Sequence, residues 1–206
     1  MDISLPLPLR ALIVGFTIAA AVGPISLLVI RRTIAHGRAY GLASGLGVAM
    51  ADATYAGIAA FGLTAVTSTL VAERVWLELI GGSIIVVLGI RIMRSKPGEV
   101  AEEADRPGLV GAYVSIYGLT MTNPATILAF GAVFAGLGFA VGASFTDAAA
   151  ITASVWLGST LWWIVLTAFL AWVRNRVSTR ALTWVNRVSG AALAAFGILA
   201  IVAATR

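Results

Sequence analysis

The chain has 206 residues, of which 60% are apolar and 11% charged; soluble domains carry about 25% charged residues, so a water-facing surface is excluded and lipid replaces water over most of it. The absence of Cys excludes disulfides, thiolate metal sites and thiol catalysis. The net charge of +5 comes from basic residues in short blocks between apolar runs, a pattern that reports membrane orientation rather than a nucleic-acid face.

The first apolar segment is Leu9–Ile30. Ala19, Ala20 and Ala21 imitate a signal-peptide cleavage site. The N-terminus nevertheless carries Asp2 and no basic residue before Arg10, and the apolar run continues to membrane-spanning length, so the segment reads as a retained helix. Within it lies Gly23-Pro24. Arg31, Arg32, His36 and Arg38 follow as a basic connection. The second segment, Gly41–Val66, holds Asp52 inside GLGVAMADATYAGIAAFG. The third, Val75–Ile92, has Glu73 and Glu78 by its start. The connection after it, RSKPGEVAEEADRPG, mixes charge with Pro and Gly and reads as a soluble linker. The fourth segment, Leu109–Leu137, contains Asn123-Pro124. The fifth, Phe145–Val173, carries Trp156, Trp162, Trp163 and Trp172, side chains suited to a cavity wall or a membrane interface. The sixth is Leu182–Ala203. Each approaches the ~20 residues that a helix needs to cross a bilayer, and the alternating strands of a barrel are missing.

Basic residues cluster after the first, third and fifth segments: Arg31, Arg32 and Arg38; Arg91, Arg94, Lys96 and Arg106; Arg174, Arg176, Arg180 and Arg187. By the positive-inside rule these connections face the cytoplasm and both termini face out. An internal repeat accompanies this topology. VGPISLLVI aligns with TNPATILAF, setting Pro24 against Pro124. WLELIGGSIIVVLG aligns with WVNRVSGAALAAFG, pairing Trp76 with Trp184, Gly82 with Gly190 and Gly89 with Gly197. Three helices separate the copies, so the second enters from the opposite side, as in inverted-repeat transporters.

Proline inside a helix removes a hydrogen bond and clashes with the preceding turn. It is favoured at the first position of a new helix, where a preceding Asn is a good cap. Segments one and four are therefore expected to be pairs of half-helices, the second of each starting at Pro24 or Pro124. Such a start presents free N–H groups and about half a positive charge, to which Ser26 and Thr126 add hydroxyls. Two converging starts form a site for a carboxylate; a plain proline kink is the simpler alternative. Asp52 is the acid deepest in an apolar run, where an ionised carboxylate costs about 2.5–3.5 kcal/mol. It is suited to holding an ammonium, holding a cation or carrying a proton, with a structural bond to Ser44, Thr54 or Tyr55 as the alternative. Gly41-x-x-x-Gly45 and the pair Gly131 and Gly136 suit close helix packing. No His and carboxylate cluster suggests a metal, and no nucleophile–base set or phosphate loop suggests an enzyme.

GPISLLVIRRTIAHGRAYGLASGLGVAMAD resembles the N-terminal signature of the LysE/RhtB translocators: a Gly-Pro, an apolar turn, a basic loop, then a Gly-rich helix bearing Asp. NPATILAFGAVFAG resembles the second signature of that family. The resemblance implies export of amino acids across a bacterial inner membrane, driven by the proton motive force, and points to Gly23, Pro24, Asp52, Asn123 and Pro124. Thr126 departs from the family, many members having another small or basic residue there.

The expected protein is an all-α, multi-pass membrane exporter with six transmembrane helices in an inverted 3+3 repeat (1–94, linker 95–108, 109–206) and helices one and four broken. Gly23, Pro24, Ser26, Asp52, Asn123, Pro124 and Thr126 are its expected site. A zwitterion would lay its carboxylate on the half-helix starts and its ammonium on Asp52. Its expected partners are an amino acid, protons, the bilayer and a second copy of the chain, with no cofactor, metal or nucleic acid. A divalent-cation exporter and a non-transporting scaffold are the alternatives.

Overall fold

The computed structural model describes residues 5–21, 23–62, 73–94, 108–123, 126–127, 129–130, 144–174 and 179–205. Pro124, linker residues 95–107, and Gly131 and Gly136 lie outside them. The described residues form seven helices and no strand: α1 Leu7–Ala20, α2 Pro24–His36, α3 Arg38–Ala60, α4 Arg74–Arg94, α5 Leu109–Met121, α6 Phe145–Arg174 and α7 Thr179–Ala204.

Local sequence sets the helix ends. Pro24 takes the first position of α2, where its missing N–H costs nothing, and α1 and α2 meet at a bend of 75°. The basic residues Arg31 and Arg32 do not end α2, contrary to their reading as a connection. The helix runs on to His36 and stops at Gly37, whose φ of 95° favours glycine. At the start of α6, Ser144 Oγ donates to Asp147 Oδ2 (2.7 Å) and accepts the Asp147 N–H (3.2 Å), a reciprocal cap.

Of these helices, Phe145–Val173 is alone in being long and apolar enough to cross a membrane unaided, with mean hydropathy 1.6; α1 and α2 meet the same standard as a bent pair. Only 28% of the most apolar stretch of Phe145–Val173 is buried, so the helix does not serve as the core of a soluble domain. Its Leu157, Leu161, Val165 and Phe169 face outward, as do Ile80, Ile84 and Val87 of α4 and Val188, Ile198 and Leu199 of α7. Apolar faces of this extent suit lipid.

In such surroundings helices associate through close backbone approach and polar bonds rather than through hydrophobic burial, and both devices recur here. The antiparallel pair α4 and α7 meet at glycines. A Cβ on Gly89 would lie 2.6 Å from the Gly190 carbonyl oxygen, one on Gly190 equally close to that of Gly89, and one on Gly197 2.6 Å from that of Gly82. Helix α3 runs between α5 and α6. It is antiparallel to α6, with Gly57 opposite Thr152, Asp52 opposite Ser159 and Gly45 against Trp163. Helix α1 lies along α6, with Gly15 against the Val155 backbone and Gly158 against that of Leu12. Arg32 ties three helices together: its guanidinium donates to Ser44 Oγ (3.0 Å) on α3 and to Ala112 O (2.9 Å) and Ser115 Oγ (3.0 Å) on α5. Charged donors in several directions fix how α2, α3 and α5 converge.

Candidate functional site

The break between α1 and α2 opens onto a cavity of about 640 Å³, within the usual range for small-molecule sites. Its wall draws on the end of α1, the start of α2, the middle of α3, α4 and α6, the end of α7, and the end of α5 with residues after it.

Gly23 is extended, with φ −144° and ψ −174°, and nothing lies within 4 Å of where a Cβ would be. The backbone at the break is therefore open to the cavity. The Gly23 carbonyl accepts the Leu27 N–H at 3.1 Å, the first bond of α2. The Ile25 and Ser26 N–H groups that precede it have no acceptor within the helix. With the helix dipole they make the start of α2 a place for a negative group. The Ser26 hydroxyl acts differently from expectation. It donates back across the break to Ala21 O at 2.9 Å, so it stiffens the bend.

Asp52 lines the same cavity and is 1% exposed. None of the partners foreseen for it takes up the carboxylate. Ser44 receives Arg32, Thr54 donates to Met50 O at 2.8 Å, and Tyr55 donates to Met121 O at 2.6 Å. The bond comes from α6, where Ser159 Oγ donates to Asp52 Oδ2 at 2.7 Å. A single hydroxyl satisfies only part of an ionised carboxylate's accepting capacity. No Lys or Arg stands among the described lining residues.

Across the cavity, Asn123 (8% exposed) and Thr126 also line the wall. The Asn123 carbonyl accepts the N–H groups of Thr126 (3.1 Å) and Ile127 (3.3 Å), as the residue before a new helix does. Six of the seven expected site residues thus line one cavity: Gly23, Pro24, Ser26, Asp52, Asn123 and Thr126. The seventh, Pro124, lies outside the described residues.

Two residues were not anticipated, Glu78 in the cavity wall and Ser159 as the partner of Asp52. Glu78, placed by the sequence at a helix end, is 3% exposed and lines the cavity with Gly82 and Ile85, four and seven residues further along α4. That spacing puts all three on one helix face, a periodicity that the sequence does contain. Ser159 carried no such signal. Of the four tryptophans on α6, Trp163 lines this cavity, whereas Trp156 lines a separate apolar groove with Met50 and Phe61. Trp162 meets the Phe16 ring edge-on, and Trp172 is exposed. Among the described residues no three His, Asp or Glu side chains gather closely enough to hold a metal.

The profile of the LysE type translocator family matches residues 16–204. The chain belongs to the LysE type translocator family. As a LysE type translocator it is a transport protein rather than an enzyme, and the cavity is to be judged as a place where a solute pauses, not where bonds break. The translocator is similar to the "Putative amino acid efflux protein YcgF" of Bacillus subtilis (strain 168), at 23% identity over 196 residues, covering 92% of each chain. No solved structure matches it.

Proposed function

We propose that this translocator exports amino acids from the bacterial cytoplasm through the inner membrane, coupled to the proton motive force. The observation that carries the reading is a single cavity joining the open start of α2 to the buried Asp52. The α2 start offers N–H groups and a positive dipole end to the solute's carboxylate. Asp52 offers a negative charge to its ammonium, or takes the coupling proton. The name of the Bacillus subtilis relative points to the same solute class. The decisive experiment is counterflow in proteoliposomes with labelled amino acids, with manganese and cadmium as the competing cargo. Exchange of at least one amino acid is the expected result. Cation movement without amino-acid exchange would sink the reading and favour the divalent-cation alternative.

The proposed architecture is six spans in an inverted 3+3 repeat, with copies at 1–94 and 109–206 joined by a cytoplasmic linker, and site residues Gly23, Pro24, Ser26, Asp52, Asn123, Pro124 and Thr126. The packing supports it. Exchanging the aligned glycines, Gly82 for Gly190 and Gly89 for Gly197, turns the Gly89–Gly190 contact into the Gly82–Gly197 contact, as a two-fold axis requires. Likewise α1 packs on α6 as α5 packs on α3. The topology is open to cysteine labelling, which the Cys-free sequence makes clean. A single cysteine at Asp147 should react from outside intact cells, and one in the Glu99–Asp105 linker should not. The reverse pattern would invert the orientation.

A further inference from the structure

The cavity extends in one direction. Its wall reaches Glu78, four residues into α4, and Ala203, one residue before the end of α7. Both lie toward the helix ends that the proposed topology places outside. In the other direction the cavity stops: no described residue beyond Ser26 on α2, before Val48 on α3 or before Thr120 on α5 lines it. Resting on the exporter reading and its topology, we propose that Arg32 latches a cytoplasmic gate, which must part before a solute can load.

Three helices carry the gate in matching order. Steps of four residues keep to one helix face. Away from the cavity, such steps give Pro24, Leu28 and Arg32 on α2, Asp52, Val48 and Ser44 on α3, and Thr120, Ile116 and Ala112 on α5. The first residue of each set lines the cavity. The second, Leu28, Val48 or Ile116, is apolar and at most 5% exposed, and the three belong to one core cluster that plugs the space below. The third level is the Arg32 tie, to Ser44 Oγ, Ala112 O and the neighbouring Ser115 Oγ. Ser115 gives its own proton to Ala112 O at 3.2 Å, which leaves its oxygen free to accept the guanidinium. At 1.5 Å per residue Arg32 lies about 12 Å along α2 from Pro24. The moving part is α2. Helices α3 and α5 meet backbone to backbone, since a Cβ on Gly47 would run into the Tyr113 carbonyl oxygen, so they form a fixed wall. Glycine stands at both ends of α2, as Gly23 and Gly37, and a turn of this helix about its axis withdraws Leu28 and Arg32 together. The bonds suit repeated opening. All three acceptors are neutral, so water can replace them without the parting of opposite charges. The latch is also one-sided: carrying the alignment of Pro24 with Pro124 eight residues further sets Ala132 against Arg32, and alanine has no side-chain donor. A tie in one copy alone favours the state closed to the cytoplasm, as an exporter that opens there only to load requires.

Sided cysteine labelling tests this in the Cys-free chain. Ile116→Cys reports the plug, being fully buried and off the cavity wall, and Ala203→Cys reports the outer mouth, being exposed and on it. A membrane-impermeant thiol reagent is applied to inside-out vesicles for the first and to right-side-out vesicles for the second. Adding Arg32→Ala should raise labelling of Ile116→Cys at least ~10-fold, the scale of losing one charge-assisted hydrogen bond. It should lower labelling of Ala203→Cys, because a protein open inward is closed outward. Arg32→Lys keeps the charge but lacks the fork that reaches several acceptors, and should shift both reporters the same way by less. The double variant Ser44→Ala with Ser115→Ala leaves the arginine and removes two acceptors. It should also shift both reporters in these directions, and it carries the test should Arg32→Ala not fold. Unchanged labelling of Ile116→Cys in a folded variant, or a rise at both reporters as in a loosened fold, would overturn the proposal. The same changes with the two sides exchanged would overturn the topology instead. Wild type that exchanges no amino acid would overturn the exporter reading, a separate result from either.

Discussion

Asp52→Asn is expected to insert and fold like wild type while losing export by roughly 100-fold or more, the scale on which removing one member of a buried charge pair acts. Asn keeps the volume, and its carbonyl oxygen can still accept the Ser159 hydroxyl, so the α3–α6 contact at this level survives. What disappears is the charge and the titratable proton. The structural alternative makes the opposite prediction, because removing an acid that costs about 2.5–3.5 kcal/mol near the bilayer centre leaves transport intact and raises stability. Size-exclusion elution and thermal midpoint report the fold, and net export from proteoliposomes reports the function. Gradient-free counterflow then separates the active roles. A proton carrier turned to Asn still exchanges labelled for unlabelled solute, whereas a lost ammonium ligand stops exchange as well. Net export at the wild-type rate by the Asn variant would remove Asp52 from the site and take the zwitterion reading with it.

What the sequence made legible follows from which signals are local. The apolar run Phe145–Val173 coincides with α6 to within one residue at its end, because lipid-facing helices are written as continuous hydropathy. Gly23-Pro24 marked the α1–α2 break, because proline chemistry acts on its own backbone. The run Leu9–Ile30 stopped too early since arginine ends an apolar stretch without ending a helix; the glycine at position 37 does that. Asp52 stood out as a charge surrounded by apolar neighbours. Glu78 did not, since Glu73 and Arg74 beside it suggest a wet helix end, and only the packing of other helices buries it. Ser159 was less visible still. Hydroxyls in these helices mostly return to a carbonyl four residues back, as Thr33 does to Val29, Thr120 to Ile116 and Thr167 to Trp163. That one of them turns to a carboxylate on another helix instead is a tertiary fact with no local signature.

Gly158→Leu should prevent recovery of folded protein, the largest stability effect expected from any single change discussed for this chain. A Cβ at Gly158 would run into the Leu12 carbonyl oxygen and lie 2.9 Å from the Phe16 nitrogen. These are backbone atoms of α1, with no flexible side-chain end able to swing aside, so the whole helix must retreat. Overpacking a well-filled interior typically costs 1–3 kcal/mol, and a clash with main chain lies at or above the top of that range, at about 3 kcal/mol or more. The damage would also reach the cavity, since the next residue is Ser159, whose hydroxyl holds Asp52, and α1 ends at the break that opens onto the same space. Gly158→Ala should give a milder form of the defect, with a lowered thermal midpoint in detergent and weakened solute binding together. Gly118→Ala is the matched control. Gly118 is helical too, but nothing lies within 4 Å of its added Cβ, and replacing helical Gly by Ala gains roughly 0.5–1 kcal/mol, so its midpoint should stay level or rise. Equal midpoints for Gly158→Leu and wild type would mean that α1 does not lie against α6 as described, and the site built on that contact would have to be redrawn.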